Sequence, residues 1–358
     1  MAEAQHTRPN RHKLDILPRW ASGELTSNFS GWKGSCASEE AFRGRSGDWC
    51  RGVRVVSAGE PPDEAAPVAP AQEYRTAGPT VLRMLVGAQL RRFREAAGIS
   101  IEAAGYEIRA SHSKISRMEL GRVGFKERDV ADLLTLYGVT DPERREPLLE
   151  LAEYANVPGW WQEYGDVVPG WFEPYLGLEQ GAVVVRVYEV QEVPELLQTA
   201  DYARALIAVR HPDASGDEVE RRVELRMRRR RVFDRPDPLK LWAILDEAAL
   251  RRVVGGAETM RAQIRYLIEM AGRPNITLQV LPFSVGGHAA EGGPMTLLRF
   301  AEPDLPDVVY LEQLTGALYP DRASDIIRYR DVLNRLGVQA EPPTRTLAML
   351  HDILDSLR

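Results

Sequence analysis

The chain has 358 residues, 44% of them hydrophobic and 27% charged, the balance of a folded globular protein with room for two or three domains. No apolar run approaches the roughly 18 residues that span a bilayer, and the first twenty residues lack the apolar core of a secretory signal. The only cysteines, Cys36 and Cys50, exclude a disulfide framework and a zinc quartet, and the net charge of −6 excludes an overall cationic coat without excluding a local basic surface. A cytoplasmic protein with no membrane association is expected.

Residues 1–76 show no apolar periodicity. SAGEPPDEAAPVAPAQE is rich in Pro, Ala and acid and reads as a linker; upstream, Trp20, Trp32 and Trp49 are scattered among Gly and Ser. Composition favours a disordered tail over a small binding element, and an over-extended translation start is a third reading. No site is assigned there.

From Gly78 the pattern becomes regular. Val86, Leu90, Phe93 and Ala97 share one helical face, stopped by Gly98. Ser100 is placed to cap a second helix with Ile101, Ala104, Gly105 and Ile108 inward. After a short turn at Arg109-Ala110, Ser111 caps a third helix ending at Gly121, which buries Ile115 and Met118. A fourth carries Val130, Leu133, Leu134 and Tyr137; a fifth opens at Asp141-Pro142 with Leu148, Leu149 and Ala152 inward. The connection between the second and third helices is so short that they must cross steeply, as in a helix-turn-helix, where the second member enters the DNA major groove. The exposed side of the third helix presents Ser111, His112, Ser113, Lys114 and Arg117, side chains that hydrogen-bond base edges or phosphates. Nine basic residues face seven acidic ones between Met84 and Gly138, a modest excess in an acidic chain.

The stretch AGISIEAAGYEIRASHSKISRMELGR resembles the phage-repressor-like (Xre-type) helix-turn-helix through Ile99, Ala104-Gly105, Ile108, Ile115-Ser116 and Glu119-Leu120-Gly121. The resemblance implies base reading by His112, Ser113 and Arg117, with Ser111 and Lys114 nearer the phosphates, and a structural ion pair between Arg94 and Glu119. Arg122 and Lys126, just beyond the helix, complete the expected DNA-binding set. Two departures stand out. Ile101 replaces the usual Gln at the start of the second helix, and Arg109 replaces the usual turn Gly, so the turn is expected to take a conformation tolerable for a residue with a Cβ.

Beyond Asn156, VPGWWQEYGDVVPGWFEPYLGL concentrates Trp160, Trp161, Tyr164, Trp171, Phe172 and Tyr175. A ligand or peptide pocket is one reading; its Pro-Gly breaks favour a packed connector. AVVVRVYEV reads as a strand or buried helix, and TADYARALIAVR as a helix capped by Thr199. Residues 217–233 form a helix with Val219, Val223 and Met227 on one stripe and Arg221, Arg222, Arg226, Arg228, Arg229, Arg230 and Arg231 elsewhere. That face suits either phosphate contact or pairing with acids. LKLWAIL is a strand, with Asp246 capping a helix from Glu247. AETMRAQIRYLIEMAG is a helix with Met260, Ile264, Leu267 and Ile268 inward. NITLQVLPF, PMTLLRF and PDVVYLEQL are β-rich runs expected to form a small sheet. SVGGHAAEGG lacks the Lys-Ser/Thr of a phosphate loop, and His288 within it has no partner acid at a recognisable spacing. Two amphipathic helices, SDIIRYRDVLNRLGV and TRTLAMLHDILDSLR, close the chain.

VPELLQTADYARALI, AILDEAALRR, NITLQVLPF and DVVYLEQLTGALY resemble the C-terminal domain of a large bacterial family of Xre-type, antitoxin-like regulators. The resemblance runs from about Thr80 to the end. It implies a domain that senses a partner protein or signal. The expected fold is mainly α with a smaller α+β part: a tail (1–76), a five-helix helix-turn-helix bundle (77–156) and an α+β C-terminal domain with a small sheet (157–358). The expected function is a sequence-specific transcriptional regulator, homodimeric and nucleoid-associated, whose partner is double-stranded operator DNA. The alternative is a module that sequesters a small companion protein, with DNA binding secondary. Catalytic residues, metal ligands and cofactors are not expected.

Overall fold

The computed structural model describes residues 78–302 and 305–357; the readings placed on residues 1–76 lie outside them. Local signals open most of the helices. Helix α1 (Gly78–Ala96) buries Leu82, Val86, Leu90 and Phe93, the 3.6-residue stripe of its sequence. Ser100 caps α2 (Ile101–Glu107) by accepting from Ala103 N, and Ser111 caps α3 (His112–Glu119) by accepting from Lys114 N. Helices α4 (Glu127–Leu136) and α5 (Pro142–Tyr154) follow, the latter capped by Asp141 with Pro142 at its first position. Leu151 is buried in α5, whereas Leu149, expected inward, is only half-buried.

A 3-10 turn at Trp160–Tyr164 leads into α6 (Glu173–Gly181) and strand β1 (Val184–Glu189). Then come α7 (Ala200–Arg210), α8 (Gly216–Arg229), β2 (Lys240–Asp246), α9 (Glu247–Arg251), α10 (Gly256–Ala271) and β3 (Ile276–Leu281). β4 (Met295–Arg299), β5 (Val308–Gln313), β6 (Gly316–Leu318), α11 (Ala323–Gln339) and α12 (Pro343–Ser356) complete the order. Thr199 caps α7 and Asp246 caps α9, as the sequence suggests.

The expected class, α with an α+β C-terminal part, holds. The sheet has six strands in the order β3-β2-β1-β4-β5-β6. β1, β2 and β3 run parallel through helical crossovers, while β4, β5 and β6 return antiparallel. Alternation along the strands splits the sheet's two faces. Val185, Val187, Leu241, Ala243, Leu278 and Val280 join α10 and α12 in one core; Tyr188, Ile244, Met295 and Leu297 meet Leu333 and Leu336 of α11 in the other. The first core continues without a break into the five-helix bundle through α1 and α6. These two helices meet so closely that a Cβ on Gly177 would lie 1.9 Å from Thr80 Oγ1. No described helix is long and apolar enough to cross a membrane.

Candidate nucleic-acid interface

Helices α2 and α3 are locked at their turn by backbone contacts. Ala110 N donates to Gly105 O (2.8 Å), and a Cβ on Gly105 would stand 2.8 Å from Ala110 O, so only glycine lets the two helices approach this closely. The turn corrects one expectation. Arg109 keeps the left-handed backbone that a glycine would adopt (φ 52°) and is the only non-glycine residue with positive φ among those described. The local crossing overrides the steric preference of a Cβ-bearing residue, a strain of roughly 1–2 kcal/mol.

Helix α3 is held from below. Ile115 and Met118 are each 1% exposed, and Glu119 is buried against α1. Arg94 Nε and Nη2 donate to Glu119 Oε1 and Oε2 (2.6 and 3.0 Å), while Nη1 donates to Ile99 O (3.0 Å). The hydrogen bond to Glu119 raises the guanidinium's affinity for its proton, against the effect of burial. One arginine thus ties α1, the approach to α2 and the end of α3 together.

What remains outward is a polar face. Ser111, His112, Ser113 and Arg117 are exposed, with the Ser111 hydroxyl engaged as the helix cap (3.2 Å from Lys114 N). Lys114 is placed differently from expectation: its Nζ lies 2.5 Å from Asp129 Oδ2 of α4, and the pair is largely shielded. Its ammonium therefore braces α3 against α4, and a phosphate would have to compete with that carboxylate. Arg122 is exposed and lies 3.3 Å from Asp321 Oδ2 at the approach to α11. Lys126 is exposed at the start of α4. Its loop is pinned by Asn156, which accepts from Phe125 N (3.0 Å) and donates to Phe125 O (2.6 Å). One exposed side chain escapes the sequence reading. Tyr106, on α2 just before the turn, is 87% exposed; a single apolar residue off the helical stripe carries no periodic signal.

The arginine-rich helix resolves differently from a phosphate surface. Arg221 pairs with Asp166, Arg222 with Glu218, Arg226 with Glu195 and Arg228 with Glu163. Arg229 is 4% exposed, bidentate on Glu179 (2.8 and 2.7 Å) and also bonded to Glu195. Burial alone would raise the Glu195 carboxyl; Arg226 and Arg229 outweigh it and hold the group well below the usual carboxylate range. Trp161, Tyr164 and Tyr175 of the aromatic connector are packed inward, with Arg221 and Arg228 lying 4.8 Å over the Tyr164 and Trp160 rings.

His288 is not isolated. Its Nε2 lies 3.3 Å from the Tyr188 hydroxyl, which lies 3.3 Å from Asp246 Oδ2, at the carboxyl ends of β1 and β2. Tyr188 lies 58 positions from Asp246 and 100 from His288 in sequence, beyond the reach of spacing rules. Burial, then Asp246, pushes the Tyr188 hydroxyl above its ordinary value. Among the described residues no group of histidines, cysteines and carboxylates is arranged to hold a metal ion.

A helix-turn-helix domain model matches residues 85–147, the segment from mid-α1 into α5. A second family model, described as a domain of unknown function (DUF5753), matches residues 172–352, from the start of α6 into α12. Curated proteins and solved structures provide no match. With about half of the chain matched by that second model, the protein belongs to the DUF5753 domain family and carries a helix-turn-helix domain on the N-terminal side of its defining domain.

Proposed function

We propose that the protein is a sequence-specific, Xre-type transcriptional regulator that inserts α3 into the major groove of operator DNA. The observation that carries this reading is the outward face of α3. His112, Ser113 and Arg117 stand exposed on a short capped helix whose other side is clamped by Ile115, Met118 and the Arg94–Glu119 pair. A helix held this rigidly loses little freedom on entering a groove, and its exposed groups are of the length and chemistry that read base edges. Phosphate contacts are assigned to Arg122, Lys126 and the Ser111 end of α3, all exposed, and a further contact to the exposed Tyr106 of α2. Lys114 acts through its brace to Asp129 as well as through charge. A dimer presenting two such helices would read half-sites about one helical turn, roughly 34 Å, apart. The C-terminal domain is assigned a sensing role without catalysis.

The test is fluorescence anisotropy on DNA from the protein's own promoter and on random DNA across a range of salt. Specific binding should exceed non-specific binding by at least about 10³-fold. Arg117→Ala and His112→Ala should each relax sequence choice, with a loss of about 1–3 kcal/mol on the specific site. Lys126→Ala should weaken both DNAs equally and reduce the salt slope by about one. Equal, salt-sensitive affinity for both DNAs in the parent chain would sink the reading.

A further inference from the structure

A cavity of about 280 Å³ opens between α6, the Trp160 turn and the residues that follow α8. Leu176 and Val232 supply apolar wall, Trp160 an indole, and Gln180, Arg231 and Arg235 polar groups. The one carboxylate in the lining, Glu179, has both oxygens taken by Arg229, so its charge is already matched. Arg231 is exposed and has no ion pair or hydrogen bond from its side chain among the described residues. Arg235 donates to the carbonyls of Gln180 and Ala182, but its Nε is buried without a partner, and Gln180 Oε1 is buried without one as well. Two guanidinium groups with no carboxylate at ion-pair distance, Arg235 feeling Asp237 and Glu179 only from further away, therefore border a space with one aromatic and two aliphatic walls. That combination suits an anion carried on a planar ring: the guanidiniums supply charge-assisted hydrogen bonds, the walls bury the ring. The volume is enough for one aromatic ring with its acid group.

The same cavity adjoins the joint between the sensing and DNA-reading parts. A Cβ on Gly78, the first residue of α1, would lie 3.2 Å from the Gln180 side chain, and Gly177 touches Thr80 of α1 with no spare room. Close-packed surfaces of this kind shift together rather than deform. Helix α1 in turn carries Arg94, which fixes α3.

We infer that this cavity is an effector site for a small single-ring organic anion, a carboxylate or phosphate, and that its occupancy alters operator affinity through the α6–α1 joint. The second half rests on the DNA-reading proposal above; the first half does not. The experiment uses the full chain with phenyl phosphate, benzoate, inorganic phosphate and benzyl alcohol as probes, by calorimetry and then by anisotropy on operator DNA. Phenyl phosphate or benzoate should bind one per chain, the stronger of the two identifying the acid; inorganic phosphate and benzyl alcohol should each bind at least about tenfold more weakly, since each lacks one half of the recognition. Arg231→Ala, an exposed position with no structural bonds, should weaken binding about tenfold, the loss of one charge-assisted bond. Arg235→Met should do the same or more. Failure of both ring anions to bind, or undiminished binding to Arg231→Ala and Arg235→Met alike, overturns the site. A ring anion that binds but leaves operator affinity unchanged, in a protein that does discriminate its operator, overturns the coupling alone. Loss of operator discrimination in the unliganded protein would instead count against the DNA-reading proposal, leaving the calorimetric result to stand by itself.

Discussion

Arg94 and Arg109 show how single residues set the geometry of the candidate interface. Arg94 is an interior guanidinium whose hydrogen bonds converge on Glu119 and Ile99; removing one member of such a pair leaves the other charge buried and unmatched. Arg94→Met should therefore destabilise the bundle by about 3–5 kcal/mol in urea unfolding; a loss below about 1 kcal/mol would show that Glu119 finds solvent or another partner. The pair itself is implied by a family resemblance that matches Glu119, but its three-way geometry is not. Arg109 is the converse case. Its identity suggests a relaxed turn, yet its φ of 52° is the left-handed value. Arg109→Gly should be more stable than Arg109→Ala by about 1 kcal/mol, because both lose the side chain and only glycine sheds the steric penalty. Equal stabilities would mean that the turn relaxes in solution.

At the level of elements, capping and periodicity made the bundle readable. Ser100, Ser111, Asp141, Thr199 and Asp246 each act within three residues of their own position, and the stripe of α1 needs no knowledge of what it packs against. Helix α8 marks where that reasoning ends. Whether its arginines are left for phosphates or are taken up by the chain's own carboxylates depends on Asp166, Glu163, Glu179 and Glu195, which other elements deliver. The end of β1 is equally non-local. Burial raises the Glu189 carboxyl well above its ordinary range, reinforced by Glu192, Glu195 and Glu312 and opposed by Arg210. Glu192, itself buried, is also raised, burial again first. A carboxyl that binds its proton more tightly folded than unfolded stabilises the fold at low pH and withdraws that stability as pH rises through the raised value. Glu189→Gln should then match the parent below about pH 4 and exceed it in stability at neutral pH, read as the difference between two urea-midpoint profiles. A difference that is flat with pH would place the Glu189 charge in solvent.

Across the whole molecule, the helix-turn-helix bundle and the sheet domain share one continuous apolar core, so the DNA reader is not a loosely tethered module. A polar contact adds to this. Arg122 beyond α3 reaches Asp321 before α11, engaging with the C-terminal domain a cation assigned to phosphate. An exposed pair of this kind contributes about 0.2–1 kcal/mol. Asp321→Asn should consequently tighten DNA binding by about two- to fivefold at low salt, with the gain fading as salt screens the pair. Weaker binding in that variant would mean that Asp321 positions Arg122 instead of restraining it.

The sequence by itself determined the five bundle helices, the caps of α2, α3 and α5, the short α2–α3 turn and the polar outward face of α3, because these follow from backbone hydrogen bonding and side-chain periodicity within a few residues. Tertiary structure alone decided the parallel order of β1, β2 and β3, the inward turn of the α8 arginines, the meeting of Tyr188, Asp246 and His288, and the pairing of Lys114 with Asp129. Each of these depends on which distant segment arrives opposite a given side chain, and the energy of a charge or hydroxyl is set by that neighbour and by the water it displaces, not by its position along the chain.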